Sequence, residues 1–405
     1  MKKFNKFLSF AVASAMVMAM AGCGNTDNGS AATGTNAATE SAAASDSAAS
    51  GSVFKIGGIG PTTGGAAVYG LAVQHGAEIA VEEINAAGGI NGYQVEFKFQ
   101  DDEADAEKSV NAYNALKDWG AQIIDGSTTS GACIAVTDKT KEDNMFQITP
   151  SGSAVECVQY DNNFRVCFSN PNQGLASAQY IGENGLAEKI AIIYDSSDVY
   201  SSGIYEKFAK EAENQPFEIV AAEAFTADNK TDFSVQLQKA KDAGADMVFL
   251  PIYYQESALI LTQAAAMGYA PKWLSCDGMD GILGGVDNFD VSLTEGVMLL
   301  TPFAADATDD LTQSFVTKYK EKYGDTPNQF AADSYDAIYV IKAAIEKSGV
   351  TPDMSVSDIC DGMKAAMTEI TVDGLTGSGM TWTADGEANK APKAVVIENG
   401  AYKAM

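Results

Sequence analysis

Short apolar runs alternate with amphipathic stretches through most of the chain, and no other feature of the sequence limits the fold as strongly. Residues 53–59 are typical of a strand, and 66–87 of a helix that stops at Gly88-Gly89. Residues 95–99 alternate as a second strand, and 104–119 form the next helical stretch. Strand, helix and strand in repetition predict a parallel sheet covered by helices on both faces.

The same alternation resumes after about Pro171, which predicts a second lobe built like the first. Further strands are expected at 123–124, 146–149, 190–194, 218–222, 247–252, 273–275, 378–382 and 394–397. Further helices are expected near 132–142, 201–213, 232–243, 256–267, 309–323, 331–347 and 356–367. The predicted fold class is therefore α/β, with two doubly wound parallel-sheet lobes, and a length of 405 residues suffices for both.

The beginning of the chain has the pattern of an export signal. Lysines follow Met1, an apolar run covers 7–21, and Met20-Ala21-Gly22-Cys23 ends the segment. This tetrapeptide resembles the lipobox of bacterial lipoproteins, in which the cysteine is lipidated and becomes the new N-terminus. We therefore expect 1–23 to be a lipoprotein signal peptide with Cys23 as the lipidation site. An ordinary secretory signal is the alternative.

Residues 24–52 are a low-complexity mixture dominated by Ala, Ser, Thr and Gly. Such a segment buries too little apolar area to offset the entropy lost on ordering. We expect a disordered tether between the signal and the folded part.

The charge of the chain excludes several classes of function. Acidic residues outnumber basic ones by 54 to 26, which gives a formal net charge of −28. A chain of that charge repels a phosphate backbone, so we expect no nucleic-acid partner. His75 is the only histidine of the sequence, which disfavours histidine-based zinc sites and catalytic triads. We expect no metal, no cofactor and no enzymatic activity.

Glycines after the first strand raise the question of a dinucleotide site. The glycines at 58, 60, 64 and 65 depart from the G-x-G-x-x-G spacing, and Pro61 removes an amide that a phosphate would use. A tight strand-to-helix turn is the favoured interpretation. A Rossmann-type NAD(P)-dependent oxidoreductase is the more distant alternative for the function.

Two hydroxyl-rich loops are more informative. Residues 127–131 and 149–153 each leave a strand and enter a helix. In open parallel sheets, ligands bind at the carboxyl ends of strands, where helix N-termini offer free amides to an anion. The two loops are therefore expected to hold one small carboxylate together. The alternative is a pair of ordinary helix caps, because Ser and Thr are frequent at that position.

Four motifs resemble one protein family. The runs at 56–61 and 84–92, Asp101-Asp102 and Ile148-Thr149-Pro150 are similar to the branched-chain amino-acid (leucine/isoleucine/valine-type) substrate-binding proteins of ATP-binding-cassette importers. The similarity extends from about Val53 to the end of the chain. It implies the type I periplasmic-binding-protein fold, in which two lobes are joined by a three-crossing hinge and close on the ligand.

On this resemblance, hinge crossings are expected near 169–173, 299–303 and 376–380. The N-terminal lobe would then comprise 53–170 and 301–377. The C-terminal lobe would comprise 171–300 and 378–405.

The resemblance also implies residues for the charged groups of an amino acid. Ser130 and the backbone amide of Ser153 would take the ligand carboxylate. The carbonyl of Ser151 and the hydroxyl of Ser153 would meet the ammonium group, and Asp277 lies where the family places an acid facing that group. Asp277 is often the longer glutamate in the family, which alters the depth expected of the pocket.

Four aromatic residues complete the set that the resemblance implies. Tyr200 and Tyr253 match aromatic residues of the family's cleft. Tyr69 and Phe330 lie where selectivity for the ligand side chain is set.

The five cysteines after Cys23 are odd in number, so at least one is expected to be unpaired: Cys133, Cys157, Cys167, Cys276 and Cys360. Cys157 and Cys167 are the first candidate pair because they are close in sequence, and five buried thiols are the alternative. The family's first-lobe disulfide is not expected, because Ala104 and Thr129 occupy its positions.

We expect a solute-binding protein held outside the cell by a lipid on Cys23. It would act as a monomer, capture an α-amino acid with a branched or other apolar side chain, and deliver it to the permease subunits of an ATP-binding-cassette importer. A binding protein of the same fold for an amide, urea or an aromatic acid is the nearer alternative. The ligand domain of a sensor is a further one.

Overall fold

The computed structural model describes residues 51–390 and 392–405. The expected signal peptide, the lipidation site at Cys23 and all of the expected tether except its last two residues lie outside the described residues. Among the helices that are described, none combines the length and the apolar character that a membrane crossing requires.

The first lobe is built on a five-stranded parallel sheet in the order β2-β1-β3-β4-β5. Its strands are β1 Phe54–Gly60, β2 Val95–Asp101, β3 Ile123–Asp125, β4 Phe146–Thr149 and β5 Asn163–Arg165. The helices between them are α1 Ala67–Ala86, α2 Ala106–Trp119 and α3 Ser130–Asp143. The predicted strand–helix alternation is therefore confirmed for this lobe, and its hydroxyl-rich loops lie at the carboxyl ends of the adjacent strands β3 and β4.

The second lobe contains a seven-stranded sheet in the order β12-β11-β10-β9-β8-β6-β7. Its strands are β6 Lys189–Asp195, β7 Glu218–Phe225, β8 Met247–Leu250, β9 Lys272–Ser275, β10 Met298–Thr301, β11 Lys393–Glu398 and β12 Ala401–Ala404. Its helices are α4 Asn170–Glu183, α5 Val199–Ala212, α6 Ser234–Asp242 and α7 Tyr254–Ala266. All strand pairs of this sheet are parallel except β10–β11 and β11–β12, which are antiparallel.

Three helices after β10 return to the first lobe: α8 Asp310–Tyr323, α9 Gln329–Ser348 and α10 Val356–Met367. Helix α9 packs along α1, and α10 packs against α9 and β4. The close approach of α1 and α9 depends on Gly76, because a Cβ there would lie 2.0 Å from the carbonyl oxygen of Ala331.

The segment 378–390 differs from the prediction. No strand forms at 378–382, where isolated bridges join Val372 to Met380 and Trp382 to Ala388. Instead, Trp382 Nε1 donates to the carbonyl oxygen of Arg165 at 2.8 Å, and the amide of Arg165 donates to the carbonyl oxygen of Gly386 at 3.0 Å. The apolar residues that suggested a strand are thus buried against the edge of the first lobe.

This contact moves the third crossing between the lobes. The segment expected in the C-terminal lobe from 378 onward stays with the first lobe as far as Lys390, and β11 then begins in the second sheet. Lys390 is still bound to the first lobe. Its Nζ lies 2.7 Å from Oδ1 of Asp333 and 3.0 Å from the carbonyl oxygen of Val166. The side chains of Lys390 and Asp333 form an ion pair that is almost fully buried. The expected crossing at 376–380 is therefore corrected to a position beyond Lys390.

The cysteines form no disulfide in the part of the chain that the structure describes. All five are buried free thiols, so the predicted Cys157–Cys167 pair is wrong. Cys157 packs against Cys133 and Ala154, behind the loop that follows β4, whereas Cys167 lies beyond the end of β5. Burial raises the pKa of both Cys157 and Cys167, as expected of thiols that fill apolar space.

Candidate functional site

A cavity between the lobes collects most of the residues expected to bind a ligand. It has about 240 Å³ of empty space and is lined by Tyr69, Thr128, Thr129, Ser130, Ser151, Tyr200, Tyr253, Asp277, Gly278 and Phe330. Seven of the eight expected residues are in this lining, and the eighth, Ser153, lies directly behind it, bonded to Ser130. The geometry brings the predicted set together; the role of each residue in binding stays a prediction.

The first-lobe wall of the cavity consists of hydroxyl groups and the start of a helix. Helix α3 begins at Ser130, and its N-cap residue, Thr129, makes no side-chain cap. The hydroxyls of Thr129 and Ser153 are buried and have no hydrogen-bond partner among the described residues. Uncapped amides at a helix N-terminus, together with open hydroxyls, form a wall suited to an anion.

Ser130 also joins the two loops. Its Oγ accepts hydrogen bonds from the amides of Ser153 at 3.2 Å and Ala154 at 3.1 Å. The amide expected to meet a ligand carboxylate is therefore directed at Ser130 in this structure, and the hydroxyl proton of Ser130 stays available as a donor. The second loop leads into a short 3-10 turn, Val155–Val158, rather than an α-helix.

Arg165 shapes this second loop and was missed by the sequence reasoning. Its side chain is fully buried, and it donates to the carbonyl oxygens of Ser153 at 2.7 Å and Ala154 at 2.8 Å. Arg165 also donates to the carbonyl oxygen of Gly152 at 3.2 Å. Because the carbonyls of Gly152 and Ser153 share peptide planes with the amides of Ser153 and Ala154, holding these carbonyls on one side directs those amides toward Ser130. The sequence did carry one usable signal, since Arg165 is its only arginine.

Asp277 provides the acid of the second-lobe wall. It begins the 3-10 turn that follows β9, and its side chain is held by two donors of its own lobe. Tyr200 Oη donates to Oδ1 at 2.6 Å and Gln173 Nε2 to Oδ2 at 2.8 Å. Burial raises the pKa of Asp277 to about 7, against the opposing effect of these hydrogen bonds. Gln173 was also missed, because nothing in the sequence links it to a residue 104 positions away.

Aromatic rings fill the space between the two polar walls. The rings of Tyr200 and Tyr253 stack with centroids 5.0 Å apart, and the ring of Tyr69 lies 4.5 Å from that of Phe330 and 5.4 Å from that of Tyr253. The hydroxyl of Tyr253 lies beside Asp198, and burial raises the pKa of that carboxyl group to about 6. The rings leave an apolar surface next to the acid.

Tyr69 also connects the lobes across the cavity. Its hydroxyl donates to the carbonyl oxygen of Gly278 and accepts from the amide of Tyr254 at 3.2 Å. Tyr69 lies on α1 of the first lobe, whereas Gly278 and Tyr254 belong to the second. The structure therefore shows the two lobes in contact over the cavity.

Comparison with known proteins identifies the family. Residues 53–401 match the family model described as periplasmic binding protein. The chain belongs to the periplasmic binding protein family. The Leu/Ile/Val-binding protein homolog 3 of Brucella melitensis is 31% identical over 300 residues, which are 74% of this chain and 80% of the relative. The leucine-, isoleucine-, valine-, threonine- and alanine-binding protein of Pseudomonas aeruginosa is 30% identical, with 73% and 78% covered.

Solved structures agree with the family. The branched-chain amino acid transporter substrate-binding protein of Streptococcus pneumoniae, in complex with isoleucine, matches with a TM-score of 0.78 and 28% identity, over 87% of this chain and 99% of that one. A leucine-binding protein of Thermotoga maritima matches with a TM-score of 0.76 and 27% identity, over 87% and 98%. The predicted type I periplasmic-binding-protein fold and the predicted family are confirmed, and the relatives are solute-binding proteins.

Proposed function

We propose that this protein captures a free α-amino acid with an apolar side chain and delivers it to the permease subunits of an ATP-binding-cassette importer. The observation that carries the proposal is the arrangement of the cavity. A buried acid, Asp277, lies on one side, the open hydroxyls and helix start at Ser130 lie on the other, and aromatic rings stand between them.

An amino acid presents a matching set of groups. Its ammonium and carboxylate are costly to bury unless each is paired. The ammonium would pair with Asp277 and the carboxylate with the hydroxyls and amides near Ser130. The apolar side chain would contact Tyr69 and Phe330, which expose ring surface to the cavity.

The relatives support the same class of ligand. The names of the Brucella and Pseudomonas relatives specify leucine, isoleucine and valine, to which the Pseudomonas name adds threonine and alanine, and the Streptococcus structure contains isoleucine. The alternatives of an amide, urea or an aromatic acid fit the cavity less well. An aromatic acid has no cation for Asp277, and urea or a simple amide has no carboxylate for the first-lobe wall.

The proposal includes a place outside the cytoplasm and no chemical step. The protein would be a monomer anchored by a lipid on Cys23, and it would bind and release its ligand unchanged. A Cys23→Ala variant is expected to lack the lipid in intact-mass analysis and to be released from membranes. Retention of that variant in the membrane fraction would contradict the anchor, although not the binding function.

A matched ligand series tests the binding function. Leucine carries both charged groups, leucinamide lacks the carboxylate, and 4-methylpentanoic acid lacks the ammonium. Calorimetric titration should show binding of leucine or another apolar amino acid, with each truncated analogue weaker by about a hundredfold, because a buried partner is left unpaired. Equal affinity for the acid would overturn the assignment of an amino acid.

A further inference from the structure

A second cavity lies between the lobes, on the other side of the turn that carries Asp277. It has about 1140 Å³ of empty space and is bounded by α1 and the loop before α9 from the first lobe, and by the 280–285 loop and β12 from the second. Its walls are mixed: Val68, Leu283 and Pro327 form an apolar part, and charged or polar side chains line the rest. Neither the family resemblance nor the proposed function uses this space.

Asp280 is the one deeply buried charged group of this cavity. The residue is 6% exposed, and its Oδ2 accepts from the amide of Gln329, the first residue of α9, at 2.9 Å. Its Oδ1 is buried without a hydrogen bond from any described residue. The hydroxyl of Tyr402 lies beside the carboxyl and accepts from the amide of Gly281 at 3.3 Å. A buried carboxylate oxygen without a donor is costly, and such groups are normally paired.

Four charged residues line the rim of the second cavity, two of each sign. These are the exposed residues Lys320, Lys403, Asp306 and Asp325, and Lys403 Nζ lies 4.0 Å from Oδ2 of Asp306. These exposed charges offset one another. The acid left for a ligand to pair with is therefore Asp280, at the inner end of the cavity, where burial raises the pKa of its carboxyl group.

We propose that this second cavity binds a small organic cation, with a primary ammonium on Asp280 and an alkyl chain along the apolar wall. An ammonium supplies the donor that Oδ1 lacks, and three N–H groups allow it to use the Tyr402 hydroxyl as well. The alkyl part displaces water from Val68, Leu283 and Pro327.

The position of Asp280 links the second cavity to the first. Asp277 and Asp280 flank the same 3-10 turn, and each faces a different cavity. Gln329, which bonds to Asp280, adjoins Phe330 in the lining of the first cavity. An occupant of the second cavity thus contacts the turn that holds both acids and the helix that carries Phe330.

The test uses n-butylammonium as the probe and n-butanol as its neutral counterpart. The full chain carrying Asp277→Ala serves as the background, so that the probe cannot bind to the acid of the first cavity. Calorimetric titration at about pH 8, where an ammonium is still protonated, should show saturable binding of one n-butylammonium per chain. n-Butanol should bind at least tenfold more weakly.

Two further substitutions in that background localise the site. Asp280→Asn keeps an acceptor for the amide of Gln329 but removes the charge, and should weaken n-butylammonium binding at least tenfold. Gly284→Phe should do the same by occupying the cavity, since a Cβ at Gly284 meets nothing within 4 Å and the backbone there is not left-handed. If Asp280→Asn does not fold, as judged by its melting curve, Gly284→Phe decides the question.

Three results would overturn the proposal: no saturable binding in the Asp277→Ala background, equal binding of n-butanol, or unchanged binding after both substitutions. The experiment contains no amino acid, so its outcome is independent of the proposed function.

Discussion

The hydroxyl of Tyr200 donates to Oδ1 of Asp277 at 2.6 Å and accepts from the amide of Gly278 at 2.9 Å. With Gln173 on the other oxygen, the carboxyl group is oriented entirely by its own lobe. The acid is therefore in place before the lobes meet, and a cation arriving in the cleft pairs with it without reorganising the wall. Such preorganisation lowers the cost of binding.

Asp277→Ala should cause a large loss of ligand affinity. Truncating one partner of a buried charge pair costs about 2–5 kcal/mol, which corresponds to about thirtyfold to several thousandfold. Calorimetric titration with the apolar amino acid that binds the parent most tightly measures this loss of affinity. Asp228→Ala, which removes an exposed acid, is the charge-matched control and should bind like the parent. Affinity of Asp277→Ala within threefold of the parent would remove Asp277 from the site.

Ligand affinity should fall as the pH drops through about 7. The pKa of Asp277 in the empty cleft is raised to about 7 by burial, so below that pH the group is protonated and must lose its proton to pair with an ammonium. Calorimetric ligand titrations at several pH values should show the affinity of the parent declining by up to tenfold per pH unit below about 7. An Asp277→Asn variant should bind weakly with little slope, and an equal slope in the variant would assign the effect to another group.

The same raised pKa has a consequence for the stability of the ligand-free protein. The folded chain binds the Asp277 proton more tightly than the unfolded chain, so this group lowers the free energy of unfolding as the pH rises from about 4 to about 7. Asp277→Asn should therefore be more stable than the parent at pH 7 and above, and differ less at pH 4. Urea unfolding at the two pH values provides the comparison, and a variant less stable than the parent at neutral pH would contradict it.

Arg165→Lys should destabilise the protein and weaken binding together. A lysine keeps the charge but cannot hold both the Ser153 and Ala154 carbonyls in one plane, so a buried acceptor is left unsatisfied at a cost of about 1–3 kcal/mol. The freed loop also loses the orientation of its amides toward Ser130. Urea unfolding reports the first effect and calorimetry the second. Normal ligand affinity in a destabilised variant would restrict Arg165 to a structural role.

Tyr69→Phe tests the contact between the lobes. The substitution keeps the ring that packs on Phe330 and removes the hydroxyl that bonds to Gly278 and Tyr254. Each lost bond contributes about 1 kcal/mol, so ligand affinity should fall by about five- to thirtyfold. Small-angle scattering should show a smaller radius of gyration on ligand addition in the parent. An unchanged radius in the parent at saturation would contradict closure.

The sequence predicted those parts of the site that local patterns encode. The hydroxyl-rich loops follow β3 and β4, so their meeting at one edge of the first sheet was expected from parallel-sheet geometry. Asp277 follows β9 of the second sheet, and its place opposite these loops was expected from the family resemblance. The partners Gln173 and Arg165 were not predicted, because their roles depend on contacts made after folding. A buried guanidinium that bonds to backbone carbonyls has no local sequence signal beyond its rarity in this chain.

The error at 378–382 has the same physical origin. The apolar residues there alternate with the period of a strand. A strand forms, however, only where the segment can make a continuous series of hydrogen bonds to the free edge of a sheet. Instead, Trp382 and Gly386 each share one hydrogen bond with Arg165 at the edge of β5. Alternation identifies a buried face and leaves the surface that buries it undetermined.

The first and last strands of the folded chain belong to different sheets, since β1 lies in the first lobe and β12 in the second. A donor fluorophore placed just before Phe54 and an acceptor at Met405 are consequently attached to separate bodies. Any closing motion changes the efficiency of energy transfer between them. The native topology thus already has the layout of an optical biosensor, with one label before β1 and the other after β12, and no need for circular permutation.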